Sequence, residues 1–292
     1  MTTRRERALL FSAARDHFLN KGVIVDAGIF LGASTAAFAQ GLRENPNCAN
    51  GCANRIVSYD IARWVKSMDR YLETLTDLPG VEVPELEPGQ SFEPLLRQLL
   101  STYQPMIDLK IGDLLKMAPS FAQPVEIAFF DCLKTYERDF AAFRSFTPHY
   151  IEGHTVIFQQ DYFYESAAYN KVRCEYYIDH YEYLGQVDDT AVFLYLKKID
   201  IPADEADPVK NLPAGEKVRL IDLAADRAQS QKKRLLVRLS ALELLIDEGQ
   251  HELAQSRAAI LNEEIMKADL DQITRRPGLV LEAQKKRLSS IE

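Results

Sequence analysis

Through the first two thirds of the chain, short apolar runs alternate with segments of helical period. Residues 4–20, RRERALLFSAARDHFLN, place Leu9, Leu10, Ala13, Ala14, His17 and Phe18 at helical spacing until Gly22 ends the pattern, which predicts one amphipathic helix. GVIVDAG then reads as a strand, STAAFAQGLRE as a helix, RIVSYD as a strand and ARWVKSMDRYLETLTDL as a further helix. After the Pro/Gly/Glu loop PGVEVPELEPGQ the alternation resumes with a helix near FEPLLRQLLSTY and a strand at MIDLKIGD. VEIAFFD is a near-continuous apolar run of the kind buried on both faces, and it is expected at the centre of the sheet. The helix YERDFAAFRSFT, the strand HTVIFQQDY and a helix around 165–178 follow. YEYLGQV and TAVFLYLKKI then flank a turn-like Asp-Asp and predict a hairpin at the sheet edge. This order predicts an α/β fold: a Rossmann-like parallel sheet with helices on both faces and an antiparallel edge hairpin.

Around 200–215 the prolines and acids of DIPADEADPVKNLPAG interrupt the pattern, and a boundary is expected there, dividing the chain into 1–203 and 204–292. The second region reads as a C-terminal helical extension. Its long stretch from Lys232 keeps Leu and Ile on one stripe with charges opposite, which suits packing or assembly of a homo-oligomer through these helices.

Composition narrows the classes. At 292 residues and 47% hydrophobic content the chain can bury a large core, and a formal charge of −8 argues against nucleic acid or an anionic membrane as principal partner. No apolar run approaches the ~20 residues that span a bilayer, and MTTRRER leads into a helix rather than a signal core, so a cytoplasmic protein is expected. Of the four cysteines only Cys48 and Cys52 are close in sequence; they are read as loop residues, neither a disulfide nor a zinc site.

The candidate chemistry gathers at strand ends. VIVDAGIFLGAST ends a buried strand at Asp26, passes Gly28 and Gly32, and opens a helix near Ser34. Such a turn lies at the carboxyl edge of the sheet, where open α/β folds bind ligands. The glycines let a ligand approach the backbone, and the helix start, capped by Ser34 or Thr35, suits a polar or anionic group. The spacing is not Gly-x-Gly-x-x-Gly, and no phosphate-binding Gly-x-x-x-x-Gly-Lys-Ser/Thr occurs, which disfavours a dinucleotide and a nucleoside triphosphate. Asp60 closes the next strand, where a carboxylate can hold two ribose hydroxyls; Asp113 and Asp131 close two more.

With these residues the chain resembles the class I methyltransferases that use S-adenosylmethionine, and among them the macrocin O-methyltransferase group. The resemblance runs over residues 5 to 200 through VDAGIFLGAST, SYD, IGD, IAFFDCLKTYERD and GHTVIFQQDY. It implies Asp26, Gly28, Gly32 and Ser34 at the cofactor's amino-acid end, Asp60 at its ribose, Asp113 at its adenine, and Asp131 facing the reaction centre. It also implies methyl transfer to a hydroxyl of a small-molecule or saccharide acceptor: a sugar, glycolipid or secondary metabolite. A binding or scaffolding protein of the same fold is the alternative.

Members of that group commonly bind magnesium through further acids or a His after the fourth and fifth strands. Leu133 and Gln160 stand at those places here, so no metal is expected and the acceptor's proton must go to a side chain. Asp161 is the first candidate base, with Asp131 and Lys134 as further catalytic candidates. Tyr136 is expected to pack or line the cofactor, and His154, at the opposite edge of the sheet, to be structural. Tyr162, Phe163, Tyr164 and Tyr169 are candidates for the acceptor wall.

Overall fold

A computed structural model describes residues 2–49, 51–76, 78, 80–201, 206–268 and 276–290. In chain order the elements are α1 (Arg4–Ser12), β1 (Val23–Ala27), α2 (Ala33–Glu44), β2 (Ile56–Asp60), α3 (Asp69–Leu72), α4 (Glu93–Leu99), β3 (Ile107–Ile111), α5 (Leu114–Met117), β4 (Val125–Phe130) and α6 (Tyr136–Phe146). They continue with β5 (Val156–Gln159), α7 (Ala168–Tyr176), β6 (Tyr181–Val187), β7 (Thr190–Tyr195), α8 (Pro208–Asn211), α9 (Ala214–Asp226), α10 (Gln231–Asp247), α11 (His251–Lys267) and α12 (Arg276–Ser289). The strands form one seven-stranded sheet in the order β3-β2-β1-β4-β5-β7-β6. The Rossmann-like expectation therefore holds, with β4 buried along its whole length at the middle of the order and β6–β7 as the antiparallel edge hairpin.

Two compact units emerge, one of Met1–Cys132 with His149–Ile157 and one of Leu133–Pro148 with Phe158–Glu292. The division expected between 203 and 204 falls within residues 202–205, outside the described ones, and the compact units divide the chain elsewhere.

In the first unit β1 pairs in parallel with β2 and β4, so Ala27 stands beside Tyr59 and Phe130 and the strand ends share one edge. At the other end of β4 the fully buried Glu126 accepts hydrogen bonds from the backbone N–H of Leu19 (2.6 Å), Lys21 (2.6 Å) and Gly22 (2.7 Å). His154 Nε2 lies 2.9 Å from the same carboxylate. A buried acid must be hydrogen-bonded, and here the loop that leads into β1 does it. His154 thus has the structural place expected of it, stacked on the His17 ring.

Three local expectations differ. The first helix is α-helical only over Arg4–Ser12 and continues as a π-helical turn, Ala13–His17, before Asn20 adopts φ 60°. The helix expected over 62–78 is broken into short turns around α3, because Trp64 is fully buried and its Nε1 donates to Asp69 (2.8 Å). Backbone bonds from Trp64 N to Gln90 O and from Phe92 N to Ala62 O hold that stretch extended; tertiary anchoring overrides helical propensity. Cys48 and Cys52, expected as free loop residues, are joined in a disulfide with Cα atoms 5.3 Å apart. A short turn, Pro46–Cys48, capped by Asn45, brings the two into bridging range.

In the second unit the Leu/Ile stripe of the extension is buried as expected: Leu235, Leu239, Leu242 and Leu245 of α10 pack with Ala258, Leu261 and Ile265 of α11 and with Leu281 and Leu288 of α12. A buried ion network fixes α6 and α7. Arg173 Nε donates to Asp139 (2.5 Å), its two terminal nitrogens reach Asp207 (3.1 and 2.9 Å), and the Tyr136 hydroxyl also donates to Asp207 (2.9 Å). Tyr136 is thus a hydrogen-bonded packing residue, its ring stacked on Phe140.

One glycine tests the α1–α2 packing. A Cβ at Gly41 would strike the Phe11 carbonyl oxygen and lie 2.8 Å from the Ala14 Cβ. Alanine in a helix interior normally stabilises by about 1 kcal/mol over glycine, whereas Gly41→Ala is expected to destabilise by about 1–3 kcal/mol through overpacking. Urea denaturation of the two proteins reads the sign; a more stable variant would contradict the packing described.

Candidate functional site

At the end of β1 the chain turns through Gly28 (φ 89°), Phe30 (φ 49°) and Gly32 (φ 81°) into α2. Gly28 is required by close approach, because a Cβ there would lie 2.8 Å from the Asp131 carbonyl carbon. Gly32 is the N-cap of α2 and contributes no side-chain cap. Ser34 and Thr35, expected to cap this helix, turn inward instead. The Ser34 hydroxyl lies 3.0 Å from both oxygens of Asp26, and Thr35 Oγ1 donates to Asp26 at 2.6 Å and lies 3.2 Å from Ser58 Oγ.

Asp26 is fully buried. Burial pushes its carboxyl up to about 7; the Thr35 and Ser34 bonds oppose the rise, and the charges of Asp131 and Asp60 add to it. Asp60, at the end of β2, accepts the N–H of Phe30 on one oxygen and that of Ala62 on the other, both at 2.7 Å. Burial raises its pKa while those backbone bonds hold it down. Phe30 in turn meets Trp64, Tyr71 and Phe92 with ring centroids 5.4 to 5.9 Å apart.

Between these groups lies a recess of about 20 Å3, lined by Thr2, Gly28, Ile29, Phe30, Leu31, Ala33, Ser34 and Asp131. The Thr2 hydroxyl is buried without a hydrogen-bond partner, a polar atom left for a guest. The first turn of α2, the Asp131 carboxylate and two hydroxyls fit the charged amino-acid end of S-adenosylmethionine in polarity. The volume is that of one small group, less than the amino-acid end would need.

Asp113, expected at the adenine, accepts the Leu115 N–H at 3.2 Å as the N-cap of α5. In the second unit Lys134 and Asp161 are joined as an ion pair. Asp161 lies two residues past the end of β5, at φ 61°, with a side chain 14% exposed. The structure thus brings together Asp26 with Ser34, Gly28 with Asp131, and Lys134 with Asp161. Of the four rings expected at the acceptor wall, Tyr162 and Phe163 are wholly buried, the Tyr162 hydroxyl donating to Glu175 at 2.5 Å. Tyr169 donates to Glu248, and Tyr164 carries the Arg276 guanidinium 4.4 Å above its ring. Thr2, Phe30 and Trp64 escaped the sequence reading; a lone Trp four residues beyond Asp60 was the one available signal. Among the described residues no group of three or more His, Cys, Asp or Glu side chains is placed to hold a metal ion, and no helix is long and apolar enough to cross a membrane.

Residues 25–162 match a family model described as "Methyltransferase domain". Among solved structures the chain is similar to cofactor-bound Rv0187 from MTB, at 15% identity and a TM-score of 0.44 over 68% of this chain and 83% of that one. It is similar to the O-methyltransferase from Bacillus cereus in complex with SAH, at 14% identity and 0.42 over 68% and 83%. It is similar also to an rRNA methylase from Streptococcus thermophilus, at 13% identity and 0.36 over 68% and 99%. At that distance they speak neither to the acceptor nor to assembly. No curated protein matches the sequence.

The buried acid sets a pH dependence. Because the folded-state pKa of Asp26 lies near 7 and the unfolded value near 3.8, the folded protein binds more protons between those values, and stability from this group falls as pH rises through the window. Asp26→Asn removes that contribution. Relative to the variant, wild type is expected to lose stability from pH 4 to pH 7, at up to about 1.4 kcal/mol per pH unit. Urea midpoints at four pH values measure it; parallel curves would refute the assignment.

Proposed function

We propose that the protein is a methyltransferase whose donor is S-adenosylmethionine and that it carries the methyl group to a hydroxyl of a sugar, glycolipid or secondary metabolite, as the macrocin O-methyltransferase group does. The observation that carries this reading is the ion pair of Lys134, four residues past β4, with Asp161, two residues past β5. Asp26, Gly28, Gly32, Ser34 and Asp131 are assigned to the amino-acid end of the donor, Asp60 to its ribose and Asp113 to its adenine.

The bound cofactor supplies an electrophilic methyl on a sulfonium. The residues do the rest. Asp161 takes the acceptor's hydroxyl proton on a carboxylate oxygen as the new O–C bond forms, and the Lys134 ammonium offsets the charge around it. Asp131, at the end of β4, orients the acceptor. The net charge of −8 favours a small neutral or cationic acceptor over nucleic acid, and a cytoplasmic setting suits the donor. Exposed Leu253, Ile260, Met266 and Leu279 on α11 and α12 support a homo-oligomer joined there.

Calorimetric titration with S-adenosylhomocysteine is expected to give binding heat and titration with NAD none; Asp60→Ala is expected to weaken the first. Absence of heat with S-adenosylhomocysteine would overturn the donor assignments. Transfer of labelled methyl to a panel of glycosides and phenols should survive EDTA and fall by about 100-fold or more in Asp161→Asn. Full activity in that variant would remove Asp161 as the base. Light scattering is expected to give a mass above 33.2 kDa that Ile260→Glu with Met266→Glu returns to the monomer; an unchanged mass would place the interface elsewhere.

A further inference from the structure

Lys171, in the first turn of α7, is completely buried, yet the contacts of its ammonium are main-chain carbonyls. Nζ donates to the carbonyl of Asp161 at 3.4 Å, to that of Ala167 at 3.3 Å, and to that of Ser166. An ammonium has three N–H groups, and each meets one of these oxygens. The three carbonyls come from the two ends of the segment 161–167, and both terminal residues, Asp161 (φ 61°) and Ala167 (φ 59°), lie in the left-handed region that side-chain-bearing residues rarely adopt. Such a backbone persists where its surroundings over-determine it. Other anchors hold the segment as well: Phe163 N donates to Asp189 O at 3.1 Å, the Tyr162 hydroxyl to Glu175, Tyr164 N to the Asp161 carbonyl at 3.3 Å, and Arg276 pairs with Glu165, while Lys171 joins its two ends.

We propose that Lys171 is a positioning residue for Asp161: by gathering three carbonyls onto one buried ammonium it fixes the segment 161–167, and with it the main-chain setting from which the Asp161 carboxylate meets Lys134. This rests on Asp161 being the proton acceptor. Loss of the Lys171 proton would leave two N–H groups and a lone pair facing a carbonyl oxygen, so one end of the segment would be released. The charged and titratable groups that face Lys171 are Asp161 and Glu165 on the segment, Cys174 on its own helix and Glu243 on α10. Burial lowers its pKa to about 7, and those acids oppose the fall. The clamp is therefore closed below neutrality and loosens above it.

Hydrogen–deuterium exchange of the wild-type protein from pH 5.5 to 8.5, corrected for the intrinsic pH dependence of exchange, tests this without any acceptor. Protection of amides 162–168 is expected to fall about tenfold with a midpoint near pH 7, while amides of β7 keep theirs. In Lys171→Met the same amides are expected to be poorly protected at every pH, and methyl transfer at saturating S-adenosylmethionine to fall with the donor's KM unchanged. A wild-type profile without a midpoint, or a folded Lys171→Met protein as protected as wild type, would overturn the clamp and leave the base reading standing. Should the variant not fold, the wild-type profile decides alone. Asp161→Asn keeps its main-chain carbonyl and is expected to retain the exchange profile; an active Asp161→Asn protein would overturn the base and with it the positioning role.

Discussion

The β1–α2 turn depends on one buried carboxylate. Asp26, next to last in β1, has no access to water, and an acid there is tolerated only where hydrogen-bond donors converge on it. Ser34 and Thr35 supply them from the first turn of α2, and Ser58 backs Thr35 from β2. To reach the acid the helix must begin immediately over the strand end, and the intervening chain is forced through the three positive-φ residues Gly28, Phe30 and Gly32. The recess is the concave side of that turn. Its helix terminus follows from that interaction.

Much of the fold was legible because the period of the pattern changes cleanly between strand and helix, and because the apolar run of β4 could only be central. The positions of Asp26, Asp60, Asp131 and Asp161 at strand ends could be read for the same reason. Their partners could not. Whether Ser34 caps its helix or satisfies a neighbouring acid depends on a tertiary distance, and helical period over 62–78 gave no hint that Trp64 would be buried and the chain pulled straight. The Cys48–Cys52 bridge escaped because a spacing of four suits an ordinary loop as well as a turn capped by Asn45. The burial of Lys171 is a property of the segment that folds over it, which no local pattern announces.

The proposed chemistry also shows how little a methyl transfer asks of a protein. The groups assigned to the donor lie on the turns after β1 and β2, and the proposed proton acceptor lies after β5, in the unit whose α6 and α7 are tied together by Arg173, Asp139 and Asp207. A buried pair of acids around one guanidinium is costly to break, so these helices keep their register. A rigid support suits a reaction whose rate depends on alignment rather than on a large set of catalytic groups.

The hairpin carries a different consequence. β6 ends the sheet order, and a terminal strand offers unpaired N–H and C=O groups to any passing strand. Its pairing with β7 shifts register between Tyr183 and Gly185, and Gln186 is bonded to Gln229 from the α9–α10 connection. The kink bends the ribbon and the connection occupies part of its rim, so this edge of the sheet offers copies of the chain no flat template along which to polymerise.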